Sequence, residues 1–288
     1  MSEKPQRRPD WLKVELETGE EYRQMKDLVA DLALNTVCQE AHCPNLHECW
    51  NARTATFMIL GETCTRHCSF CGVGKGRPLP PDADEPRRVA EAVARLGCRH
   101  VVLTSVDRDD LEDYGAGQWA ATLRAIRQRN EGVTLETLIP DFAGDEAALA
   151  TLMAERPEVL SHNVETVPEL YRRVRTDSDW QRSLTVLERA AAWKDEYPVR
   201  VKSGMMLGLG ETREQVVAAM EVLVEHRCEI LTLGQYLPPS RKHLPVDRFV
   251  PPEEFAELKR LGEEIGLRHV ESGPFVRSSY RAETHLHV

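Results

Sequence analysis

From residue 55 onward the chain alternates short apolar or β-branched runs with longer segments of helical period. Few architectures accept that alternation: repeated βα units build a parallel sheet that curls toward a barrel or lies between two helical layers. Six strands are expected, at Thr56–Leu60, His100–Thr104, Val133–Ile139, Val159–Asn163, Val199–Met206 and Ile230–Tyr236, each followed by a helix. Apolar stripes mark the inner faces of three helices: Val89, Ala92, Val93 and Leu96; Val216, Met220, Leu223 and Val224; Phe255, Leu258, Leu261 and Ile265. Thr212 with Gln215, and Ser178 with Gln181, have the spacing of helix capping boxes. In either sheet form ligands collect at the carboxyl ends of the strands, so the loops that follow strands are where chemistry is expected.

A length of 288 residues suits one barrel with extensions as well as it suits two domains. The net charge, 37 − 47 = −10, repels phosphate backbones, so nucleic acid is not an expected partner. No apolar run approaches the roughly 20 residues that span a bilayer, and Met1–Trp11 is polar where a signal peptide would be apolar. A cytoplasmic protein with no membrane contact is expected. In that compartment thiols stay reduced, and eight cysteines point to metal or redox chemistry rather than disulfides.

Six of the eight fall into two triplets. Cys64, Cys68 and Cys71 form Cys-x3-Cys-x2-Cys directly after the first expected strand. Three thiolates on one tight loop can hold three corners of a 4Fe-4S cluster and leave the fourth iron open to a small molecule. A zinc knuckle completed by His67 or a remote residue is the alternative. Cys38, Cys43 and Cys49 form Cys-x4-Cys-x5-Cys in the extension that precedes the barrel, with a zinc site using His42 or His47 as the alternative. Cys98 and Cys228 stand apart and are expected to be buried packing residues. His285 and His287 are assigned no role and are expected to be solvated.

Cys-x3-Cys-x2-Cys opening a βα series resembles the radical S-adenosylmethionine superfamily. Both triplets together resemble the lipoyl synthase family. Supporting stretches recur in order: Thr104-Ser-Val-Asp-Arg-Asp-Asp-Leu, Leu138-Ile-Pro-Asp-Phe, His162-Asn-Val-Glu-Thr-Val-Pro, Lys202-Ser-Gly-Met-Met-Leu-Gly-Leu-Gly-Glu, Leu233-Gly-Gln-Tyr-Leu and Ser272-Gly-Pro-Phe-Val-Arg-Ser-Ser-Tyr. The resemblance covers about residues 30 to 283, with Tyr114 standing where the family has a turn glycine and Phe275 where it has an aliphatic residue.

The resemblance implies an α/β fold: a partial (βα)6 barrel of the radical SAM type, residues 55–271, whose mouth is closed by an N-terminal extension, 1–54, and a C-terminal one, 272–288. It implies two 4Fe-4S clusters and S-adenosylmethionine. Cys64, Cys68 and Cys71 would hold the radical-generating cluster. Cys38, Cys43 and Cys49 would hold an auxiliary cluster that donates sulfur, with a serine completing it. Ser279 is the expected ligand and Ser278 the alternative, since spacing cannot separate neighbouring hydroxyls. An oxygen on iron would be the weak corner of a cluster meant to be dismantled.

Phe70 would lie near the adenine, or simply pack. Asn163 and Glu165 would bind the ribose or the methionine moiety, Arg175 the methionine carboxylate, unless it is a solvated arginine, and Ser105 the methionine amine. Gly208-Leu-Gly-Glu211 resembles the superfamily's cofactor-backing glycines, or is a tight turn. The implied reaction inserts two sulfur atoms, at C6 and C8 of an octanoyl group on a lysine of a lipoyl carrier protein. Arg172, Arg173, Arg241 and Lys242 are candidate docking residues for that carrier. A reducing protein and a cluster-rebuilding protein would be further partners, and a monomer is expected. A biotin-synthase-like enzyme acting on a free small molecule and a non-enzymatic zinc-binding module are the competing readings.

Overall fold

The computed structural model describes residues 7–14, 18–51 and 56–287. Three short helices and one strand precede the barrel: α1 (Glu20–Asp31), β1 (Asn35–Thr36), α2 (Val37–Glu40) and α3 (Leu46–Asn51). The barrel series follows as β2 (Thr56–Ile59), the small strands β3 (Thr63–Cys64) and β4 (Gly74–Lys75), α4 (Glu85–Leu96), β5 (His100–Ser105), α5 (Ala116–Arg129), β6 (Thr134–Leu138) and α6 (Glu146–Met153). It continues with β7 (Val159–Ser161), α7 (Tyr171–Val174), α8 (Trp180–Ala192), β8 (Arg200–Leu207), α9 (Arg213–Glu225), β9 (Ile230–Gln235), α10 (Pro252–Ile265) and β10 (His269–Gly273). A 3-10 turn, Ala282–His287, follows. Among the described residues no helix is long and apolar enough to cross a membrane.

The main sheet runs β1-β2-β5-β6-β7-β8-β9-β10 and is open among the described residues. All six expected strands are present, shifted at their ends by no more than two residues, and each is followed by a helix. Besides the small pair β3 and β4, two strands of the main sheet were not foreseen. β10 adds a seventh parallel member beside β9, and β1 pairs antiparallel with β2, which ties the N-terminal extension to the barrel edge. β10 carries the sheet to Gly273, two residues past the expected boundary at 271.

Alternate residues of each strand face opposite ways. Leu103, Leu135, Leu160, Val201, Leu231 and Val270 belong to one apolar core with the stripes Val89/Ala92/Val93, Val216/Met220/Leu223 and Phe255/Leu258. Met25, Val29 and Trp50 of the N-terminal extension join it. The intervening positions form a polar barrel interior: Glu136 and Lys202 are fully buried and paired at 2.6 Å. Removing one partner of such a pair costs about 3–5 kcal/mol, because the other charge is left buried alone.

The helix starts follow their chemistry. Thr212 and Gln215 form a reciprocal capping box on α9. Ser178 does not cap α8: Asp179 does, accepting from Arg182 N at 2.9 Å, while the Ser178 hydroxyl donates to Asp141. An ionised carboxylate one residue closer to the helix is the stronger cap. Cys228 is buried as expected, but Cys98 is only half-buried against the core, since it follows the left-handed Gly97 that ends α4. His285 is not solvated: its ring is 0% exposed and meets Lys202. The side chain of His287 lies outside the described residues.

Candidate active site

The Cys64–Cys71 loop leaves β2 and is fastened by Arg66, which is 4% exposed. Its guanidinium makes a bidentate pair with Asp109 at 2.7 and 2.8 Å and reaches Asp141 at 2.7 Å and Asp107 at 3.1 Å. Asp107 and Asp109 follow β5 and Asp141 follows β6, so one side chain binds the loop to two strand ends. Burial would lower the Arg66 pKa, but the three carboxylates hold it above the ordinary range. Burial also raises Asp107 to about 6 despite Arg66 and Arg175, whereas Asp141 is held below its usual value because Arg66 outweighs the effect of burial. The amides of Arg66 and Asp107 both donate to Cys64 Sγ at 3.4 Å. His243 from the loop after β9 contacts the Cys71 carbonyl at 3.1 Å.

Each triplet is a cluster of repelling, desolvated thiols. Burial, then the Asp107 carboxylate, pushes Cys64 up to about 11, and burial pushes Cys68 up to about 12. Burial followed by the neighbouring thiols pushes Cys38 up to about 11 and Cys49 to about 12. Thiols arranged so are protonated unless a metal takes the proton's place. Three soft thiolate donors grouped on one short segment are the ligand set that an iron–sulfur cluster takes. His67 turns outward, 65% exposed and 3.3 Å from Asp177, and His47 stacks on Tyr22.

Five of the six cysteines, Cys38, Cys43, Cys64, Cys68 and Cys71, line one cavity of about 870 Å³. Phe70, Ser105, Asn163, Glu165, Arg175, Ser278 and Ser279 line the same cavity. Cys49 stands close enough to Cys38 and Cys43 for their charges to couple. The cavity lies at the carboxyl ends of the strands, where the βα pattern placed it.

The expected binding residues are held by different means. Asn163 donates to Glu165 at 3.1 Å and to Ser278 Oγ at 2.6 Å, while its buried Oδ1 has no hydrogen-bond partner. Glu165 sits at φ +67°, fixed there by backbone bonds to Gly204 and from Met206 of β8. A non-glycine residue held in that region marks strain that the surrounding structure supports. Burial raises its carboxyl pKa.

Arg175 is buried rather than solvated and donates to the Asn163 carbonyl at 2.7 Å, to Tyr171 at 3.0 Å and to Ser183 at 3.2 Å. Phe70 packs against a small apolar cluster with Val174, Leu209 and Tyr236. The Ser105 hydroxyl accepts from Trp119 Nε1 at 3.2 Å. Gly208-Leu-Gly-Glu211 is a tight turn: Gly208 has φ +95°, and Glu211 accepts from the amides of Gly208 and Leu209.

The C-terminal segment enters this site from far away in sequence. Asn45 donates to the Phe275 carbonyl at 2.6 Å, and Tyr280 reaches Glu48 at 3.2 Å. Thr56 connects the two extensions: its amide faces the Cys38 sulfur, and its hydroxyl donates to Ser279 Oγ at 2.7 Å. Ser278 instead meets Asn163. Sequence reasoning did not single out Arg277, whose guanidinium lies beside the Cys43 thiol, nor Thr56, Arg66 or Asn45. For Arg66 a signal existed in its place between two loop cysteines; for Thr56 and Asn45 the partners lie more than 200 residues away.

A family model described as the radical SAM superfamily matches residues 58–223, and one described as the N-terminal domain of lipoyl synthase matches residues 2–43. The chain is 53% identical over 284 residues to a lipoyl synthase of Chlorobaculum parvum, covering 98% of this chain and 96% of the relative. It is 54% identical over 276 residues to a lipoyl synthase of Rubrobacter xylanophilus, covering 96% and 85%. Its fold is similar to that of methylornithine synthase, with a TM-score of 0.55 at 14% identity over 85% of this chain and 74% of that one. It is also similar to coproporphyrinogen III oxidase from Escherichia coli, a radical SAM enzyme, with a TM-score of 0.54 at 17% identity over 73% and 52%.

Proposed function

Given that the chain belongs to the lipoyl synthase family of the radical SAM superfamily, we propose that it inserts sulfur at C6 and C8 of an octanoyl group carried on a lysine of a lipoyl carrier protein. The observation that carries this reading is that cysteines of two separate triplets, five of the six, line one cavity that Ser279 also lines. In this reading Cys64, Cys68 and Cys71 hold a 4Fe-4S cluster, and Cys38, Cys43, Cys49 and Ser279 hold a second. When bound, the first cluster with S-adenosylmethionine supplies a 5′-deoxyadenosyl radical, and the second supplies sulfur.

The chain's own residues do the positioning. Arg66 and its three carboxylates hold the cysteine loop on the strand ends. Asn163, Glu165, Arg175 and Ser105 offer donors and acceptors to the methionine and ribose groups, and Phe70 closes the adenine side. The octanoyl carbons carry no activating group, so Glu165 has no proton to remove there and serves the cofactor's polar atoms, while Asp107 serves Arg66.

Gly204 limits the space for this arrangement: a Cβ there would stand 2.6 Å from Thr232 Oγ1 and 2.7 Å from Asn163 Oδ1. Gly204→Ala should therefore displace Asn163 and weaken S-adenosylmethionine binding about tenfold, as overpacking of about 1–3 kcal/mol would. Equilibrium dialysis of the reconstituted protein checks this, and an unchanged dissociation constant would remove Asn163 from the cofactor site.

The exposed Arg172 and Arg173 of α7 and Arg241 and Lys242 of the turn that reaches Cys71 form the carrier-docking rim. Reductive cleavage of S-adenosylmethionine would consume an electron and each product would take two sulfurs from the auxiliary cluster, so repeated turnover would need a reducing protein and a cluster-rebuilding protein. We place the protein in the cytoplasm, where both operate on reduced thiols. The test compares octanoylated carrier with free octanoate and dethiobiotin, alongside iron analysis. About eight irons per chain, falling to about four when Cys38, Cys43 and Cys49 are all alanine, is expected. Turnover of a free small molecule only, or zinc without sulfide, would overturn the reading.

A further inference from the structure

Beyond Tyr280 the C-terminal segment leaves the cavity and runs to the opposite, amino end of the strands. Ala282 is buried, and the 3-10 turn inserts His285 among inward-facing residues of four strands. His285 Nδ1 stands 3.1 Å from Lys202 Nζ, which is also 2.6 Å from Glu136 Oε1. His100 lies 3.8 Å from the other Glu136 oxygen, and the His269 ring is 5.1 Å from that of His285. Burial, then the Lys202 ammonium, pulls His285 down to about 3, so the ring is neutral and Nδ1 accepts.

Ligand atoms of His269, Glu271 and His285 lie within 4.8 Å, a spacing a cation could use. A lysine ammonium on Nδ1 leaves the proton on Nε2 and adds a positive charge, which opposes that use.

We propose that His285 is the positioning residue of this segment: docked on the buried Lys202–Glu136 pair, it fixes the path that brings Ser279 to Thr56 and the Cys38 triplet. This rests on the reading of Ser279 as an iron ligand. Upstream the path is bounded at Gly234, where a Cβ would stand 2.0 Å from the Val276 carbonyl. Downstream, His285 supplies a charge-assisted hydrogen bond to a group that has no water to fall back on.

The test uses the reconstituted holoenzyme with His285→Ala and His285→Asn, the latter able to accept from Lys202 through its amide oxygen. In His285→Ala, tryptic cleavage after the exposed Arg281 should rise about tenfold or more, the effect of losing a buried hydrogen bond to a charged group. The Mössbauer signal of the auxiliary cluster's distinct iron should broaden, with S-adenosylmethionine cleavage within about twofold of wild type and His285→Asn restoring protection and signal. Wild-type protection and spectrum in His285→Ala would overturn the proposal. So would His285→Asn failing like alanine with S-adenosylmethionine cleavage falling in parallel, the mark of general destabilisation. Ser279→Ala run beside them separates the two readings: if its spectrum matches wild type the ligand assignment fails, while the proteolysis still decides whether His285 holds the segment.

Discussion

Cys68→Ala is expected to abolish reductive cleavage of S-adenosylmethionine and lipoyl formation together, each by more than about 100-fold, since loss of a metal ligand exceeds the 10–100-fold typical of its outer partners. Cys68 is half-buried on a loop whose other anchors remain: Arg66 still holds Asp107, Asp109 and Asp141, and Ser69 still bonds the Val174 carbonyl. The fold should therefore persist while the loop loses one corner of its metal site. Iron should fall from about eight to about four per chain, with the remainder on the other triplet. Anaerobic assay of methionine released with a strong reductant reads the outcome, and retained cleavage would remove Cys68 from the radical site.

Ser279→Ala is expected to separate the two activities. Its hydroxyl accepts from Thr56, whose amide faces Cys38, so the change touches the auxiliary triplet and leaves the Cys64–Cys71 loop alone. Lipoyl product should fall by more than about 100-fold, with S-adenosylmethionine cleavage within about twofold of wild type. The loss of one part-buried hydrogen bond costs stability about 1 kcal/mol, too little to unfold the chain. Ser278→Ala is the contrasting variant. Its hydroxyl meets Asn163, so any effect should appear in cofactor binding. Product analysis by mass spectrometry of the octanoylated carrier decides between them, and normal lipoyl formation in Ser279→Ala would move the ligand elsewhere.

The barrel was legible because its outward faces obey simple periodicity. Leu103, Leu135, Val201 and Leu231 alternate along strands, and helix stripes such as Val216, Met220 and Leu223 answer them. β10 escaped the same logic: His-Val-Glu-Ser-Gly contains one apolar residue, Val270, because its inner face meets the polar barrel interior rather than the core. The cysteines were legible by their spacing within two short segments, 38–49 and 64–71. Arg277, Thr56 and Asn45 were not, since their significance is created by contacts across more than 200 residues. His285 was misjudged for the same reason: a histidine near a chain end reads as solvated until the buried Lys202, 83 residues away, is brought beneath it.

The span from Thr56 to Ser279, 223 residues, also sets an order of events during synthesis. The anchors of the Cys64–Cys71 loop are Asp107, Asp109, Asp141, Val174 and His243, all made before residue 279. The Cys38 triplet meets Ser279, through Thr56, only after residue 279 of the 288 has been made. In the proposed reading, the residues around the first triplet are therefore complete in the nascent chain before those around the second.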